Sequence, residues 1–92
     1  MSVILVGERE GVYLGSFLGL GIWSQLDSAG QDAAVVFPSA DVAWDTVQTW
    51  DGKDGLSALR FLPVEADLEN GRYASERACI AAGAKPWSHV LN

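Results

Sequence analysis

Few side chains in this 92-residue sequence could do bond chemistry, and their spacing argues against most of it. Cys79 is the only cysteine and sits in the apolar run Ala78-Cys79-Ile80-Ala81-Ala82, which reads as a buried thiol rather than a nucleophile. His89 is the only histidine, three residues from the end. With Cys79 it makes two zinc donors where three or four are needed, and alone in a tail it is a poor general base. Glu65, Asp67 and Glu69 could seat paired carboxylates, but charges at alternate positions beside the Asn70-Gly71 turn read as a solvated edge. Asp51-Gly52-Lys53-Asp54-Gly55 has Lys53 where a calcium loop needs an oxygen donor. Gly19-Leu20-Gly21 lacks the third glycine of a dinucleotide fingerprint, with Ser24 in its place. These residues give no enzyme, metal or cofactor signature.

The charge distribution is more informative. The chain has twelve acidic and six basic residues, a net charge of −6, which disfavours a polyanion partner. Residues 27–54 hold Asp27, Asp32, Asp41, Asp45, Asp51 and Asp54 against Lys53, a local charge of −5, whereas residues 55–92 are neutral. Asp41 and Asp45 are one helical turn apart, where like charges repel slightly. That cost fits a surface made to meet a basic partner, and it also fits a plain solubilising face. Asp41, Asp45, Asp51 and Asp54 are the candidate partner-binding carboxylates. Of the four tryptophans, Trp44 and Trp50 fit a core stripe, while Trp23 and Trp87 lie in glycine- or proline-flanked segments and would be contact anchors if exposed.

The elements that must position these residues follow from pattern. Val3–Val6 and Val12–Leu14 flank a charged, glycine-ended turn and read as a hairpin. Gly15, Gly19 and Gly21 suggest bends or bulges, and Ile22–Leu26 is a short strand or a turn. Ala33–Phe37, ended by Pro38, suits a strand buried on both faces. Ser39 caps a helix whose stripe is Ala40, Ala43, Trp44, Val47 and Trp50, and Asp51–Gly55 ends it. Ala58–Ala66 is β-like, with Pro63 favouring a sheet edge. A short helix is predicted from Tyr73 to Ala82, with Gly83 at its C-terminal end. Residues 84–92 form a tail, free to move or to pack Trp87 on the body. The order β-β-(β)-β-α-β-α predicts one α+β domain over 1–92, a mainly antiparallel sheet of three to five strands carrying two short helices.

Met1-Ser2-Val3-Ile4 has no basic leader, and Gly11–Trp23 is too short and glycine-rich to span a membrane. With a lone cysteine, the expected setting is a reducing cytoplasm. The aspartates around Ser39–Asp45 and Asp51–Asp54, in a short acidic chain without catalytic signature, resemble small accessory proteins of phages and prophages, among which are the anti-CRISPR inhibitors. That resemblance implies a non-enzymatic inhibitor with no cofactor. It would bind a host protein complex at a basic, nucleic-acid-binding surface without touching nucleic acid or membrane itself. A structural or assembly protein is the second reading, as a homodimer pairing β-edges or burying Trp23 and Trp87.

Overall fold

A computed structural model describes residues 2–17, 20–24, 33–50, 53–64 and 73–87. The strands are β1 (Val3–Gly7), β2 (Gly11–Phe17), β3 (Leu20–Trp23), β4 (Ala33–Phe37), β5 (Leu59–Pro63) and β6 (Tyr73–Ser75); the helices are α1 (Ala40–Gln48) and α2 (Glu76–Ala81). A 3₁₀ turn at Lys53–Gly55 follows α1. The fold is the expected α+β arrangement, with every described strand pair antiparallel.

β1 organises the sheet. β5 pairs along all five of its residues, from Val3↔Pro63 to Gly7↔Leu59. Its other edge is shared: β4 takes Val3 and Ile4, and β2 takes Val6 and Gly7. β3 extends the sheet beyond β2, and β6 extends it beyond β4. Pro63 sits where a missing N–H is harmless, since β5 pairs only with β1 among the described strands.

The sheet is covered on both faces, so all five residues of β1 are buried. Ile4 and Val6 join Val12, Leu14, Ala34, Ala74, Cys79 and Trp87 on the α2 side. Val3 and Leu5 join Tyr13, Trp23, Phe37, Ala43 and Val47 on the α1 side. Tyr13 centres the second core: its ring lies 5.2 Å from Trp23, 5.0 Å from Trp50 and 6.3 Å from Phe37. The register slips between Tyr13 and Gly15, and Gly15 takes φ of 132°, a backbone a side chain would strain.

Both helices are capped as their residues dictate. Val42 N–H donates to Ser39 Oγ at the start of α1, and Ala78 N–H to Ser75 Oγ at the start of α2. α2 ends in a Schellman pair, Gly83 N–H to Ile80 C=O and Ala84 N–H to Cys79 C=O, with Gly83 at φ 114°.

One expectation changes and two open ones are decided. The helix predicted from Tyr73 starts at Glu76, because Tyr73–Ser75 pairs with Val35–Ala33 as a sixth strand. The undecided segment at Ile22 is strand through Trp23. The first part of the tail is packed, with Ala84 and Trp87 buried and Trp87 N–H donating to Glu76 Oε2 at 2.9 Å. Residues 88–92 and the Asn70-Gly71 turn lie outside the described residues.

Candidate functional site: an acidic helix face beside an apolar groove

The α1 stripe is narrower than its sequence suggests. Ala43 and Val47 are buried, and they set the direction of the core-facing side. Trp44 lies roughly 60° around the helix from Val47 at 3.6 residues per turn. That rotation leaves it 48% exposed, its ring edge-on to Phe61 at 6.4 Å. Trp44 therefore departs from the predicted core position, while Trp50 is half-buried against Tyr13 and Trp23.

The two tryptophans proposed as contact anchors are core residues. Trp23 is 3% exposed and Trp87 5%. Alternation on β3 turns Trp23 into the α1-side core, and Gly21 is paired in the strand with Ser16 rather than set in an exposed loop. Trp87 packs into the α2-side core with Cys79 and Ala84. Neither presents a face to a partner, and the homodimer reading loses the tryptophan half of its basis.

Asp41 and Asp45 lie on the exposed side of α1, and Asp54 is exposed in the 3₁₀ turn. None of the three makes a hydrogen bond or ion pair among the described residues. Asp51, Glu65, Asp67, Glu69 and His89 lie outside those residues. Between α1 and the following segment runs a groove of about 500 Å³, lined by Trp44, Val47 and Gln48 on one wall and by Asp54, Leu56 and Leu59 on the other. Among its described lining residues the only ionisable one is Asp54. Asp41, one helical turn from Trp44, and Asp45 beside it extend the negative charge along α1. The site is thus an aromatic and aliphatic trough bordered by carboxylates, with no cation among its described lining residues.

The far wall is held by a polar clamp from the β1–β2 turn. Ser57 N–H donates to Glu10 Oε2 at 3.1 Å, and Ser57 Oγ–H to Glu10 Oε1. Arg9 N–H donates to Ser57 Oγ at 3.1 Å, and Glu8 N–H to Ala58 C=O at 2.9 Å. Partial burial raises the Glu10 carboxyl, but the two Ser57 bonds, with its own backbone N–H and the Arg9 charge, leave the group below its ordinary value of 4.5. The sequence held no local signal for this clamp, which joins residues 47 positions apart.

The thiol takes the place expected of it. Cys79 is fully buried, and burial together with the Glu76 carboxylate pushes it up to about 11. Among the described residues no cluster of three or more His, Cys, Asp or Glu could hold a metal ion. No helix among them is long and apolar enough to cross a membrane. Compared with known proteins, the chain matches no family model, no curated protein and no solved structure.

Proposed function

We propose that this chain is a non-enzymatic, protein-binding inhibitor from a phage or mobile element, of the anti-CRISPR kind. It acts on a basic, nucleic-acid-binding surface of a host defence complex. The observation that carries the reading is the half-exposed Trp44 on an apolar groove bordered by Asp41, Asp45 and Asp54. An exposed tryptophan beside a pocket is the usual anchor of an interface. The unpaired carboxylates around it would steer the chain onto Lys- and Arg-rich surface and raise the association rate.

The test is charge reversal of Asp41 and Asp45 to lysine, with binding to purified RNA-guided nuclease complexes followed by surface resonance. A slower association rate at low salt, converging with wild type at high salt, is the expected result, since screening acts within about 10 Å at 0.1 M salt. Unchanged rates with the fold intact would discard the acidic face. A second reading, self-assembly, has one observation in its favour: β5 pairs only with β1 among the described strands. Light scattering after size exclusion separates them, because edge pairing gives a stable, salt-insensitive oligomer.

A further inference from the structure

A second cleft of about 420 Å³ is lined by residues of β1, β2 and β5 and meets the groove lining at Ala58. Its floor is a single cross-strand row. Val6 pairs with Arg60 of β5 on one side and with Val12 of β2 on the other. Ser24, just past β3, sits beside Val12, exchanging Ser24 N–H to Val12 C=O at 2.9 Å and Val12 N–H to Ser24 Oγ at 3.0 Å. Val6 and Val12 point to the α2-side core, and Arg60 points the same way because its neighbours Leu59 and Phe61 face α1. Three strand spacings of about 4.8 Å make the row roughly 14 Å long between end backbones. Lys85 and Pro86 form a wall over it.

The ends of this row differ in kind. Arg60 and Lys85 are exposed cations with no ion-pair partner among the described residues, in a chain that is otherwise acidic. Ser24 is 95% buried and lines the cleft; its oxygen accepts from Val12, and its hydroxyl proton has no acceptor among the described residues. A buried hydroxyl donor left unused is costly unless something fills it. Among the described lining residues Glu8 is the one carboxylate, so these carry a net charge of +1, which favours a monoanion over a dianion.

We infer that this cleft binds a small organic monoanion with a carboxylate at one end, an apolar middle and a hydrogen-bond acceptor at the other. The carboxylate meets Arg60 and Lys85, the middle lies on Val6 and Val12, and the far acceptor takes the Ser24 hydroxyl proton. This is the pattern of small-molecule sites, apolar with a few converging polar groups. It is independent of the acidic face.

The probe is 4-acetylbenzoate, with its neutral methyl ester as control, titrated into the ¹⁵N-labelled full chain and followed by amide chemical shifts. Saturable shifts at Gly7, Val12, Ser24 and Ala58 are expected with the acid, and none with the ester. Arg60→Gln and Lys85→Gln, both at exposed positions, should each weaken binding roughly tenfold, the loss typical of one charge-assisted hydrogen bond. Benzoate, which lacks the far acceptor, should bind more weakly than 4-acetylbenzoate to wild type and equally to Ser24→Ala. No saturable shift at millimolar acid, or equal binding of acid and ester, would overturn the assignment. Unchanged affinity in both cation variants would do the same.

Discussion

Replacing Trp44 with alanine separates a residue that holds the fold from one that the fold displays. A buried tryptophan hides about 150–250 Å², and Trp44 at 48% exposure hides about half of that. At about 25 cal/mol per Å², roughly 100 Å² corresponds to about 2.5 kcal/mol against a fully extended chain. A compact denatured state removes perhaps a third, and the better helix propensity of alanine returns about 0.5 kcal/mol. The net cost is about 1 kcal/mol, including the single ring contact with Phe61. Trp23→Ala, by contrast, empties a site packed against Tyr13 and Trp50 and should cost about 3–5 kcal/mol. Urea denaturation followed by far-ultraviolet circular dichroism measures both. A Trp44→Ala cost equal to that of Trp23→Ala would refute the reasoning, since it would make Trp44 a core residue and remove the exposed anchor from the groove.

Other outcomes follow from the same contacts. Glu10→Gln should cost about 1 kcal/mol, since the amide keeps one oxygen for Ser57 but loses the charge and the second acceptor at a partly exposed site. Because the Glu10 carboxyl titrates below 4.5 in the folded chain, its contribution is present above that pH and is lost as pH falls through the folded value. The gap between wild type and variant in urea midpoint should therefore shrink on acidification below pH 4.5. Cys79 should resist a disulfide reagent in the native chain at pH 8 and react fully in denaturant, a thiol titrating near 11 being almost wholly protonated there; rapid native labelling would contradict its burial. Trp87→Phe removes a buried indole N–H without a partner among the described residues and should cost far less than Trp87→Ala, for which about 3–5 kcal/mol is expected.

What the sequence revealed and what it hid divide along the range of the interactions involved. The β1–β2 hairpin, the Ser39 cap and the Gly83 stop rest on neighbouring residues, so their chemistry is written locally. Tyr73–Ser75 misleads because three residues next to an alanine-rich run carry no strand period of their own; only pairing with Ala33–Val35 makes them β. Ser75 followed by Glu76 was the available sign that the helix starts later. The tryptophans invert for a geometric reason. Helical spacing put Trp44 and Trp50 on one stripe, but Ala43 and Val47 fix where that stripe faces, and Trp44 falls at its margin. Glycine and proline flanks suggested exposure for Trp23 and Trp87, yet strand alternation and the return of the tail bury both. The groove was illegible because its far wall depends on the Glu10–Ser57 clamp between distant segments.

The acidity of the chain thereby becomes a place as well as a total. Asp54 lines an apolar trough with Trp44 in its wall, and Asp41 and Asp45 lie exposed along α1; on the proposed reading these carboxylates guide approach and the ring supplies contact area. The most direct measurement is target-DNA cleavage by a panel of purified RNA-guided nuclease complexes, with and without stoichiometric chain. Wild type should block at least one complex, and the Trp44→Ala, Asp41→Lys, Asp45→Lys triple variant, folded by circular dichroism, should leave it active. Inhibition undiminished in that variant, or no inhibition across the panel, would contradict the account.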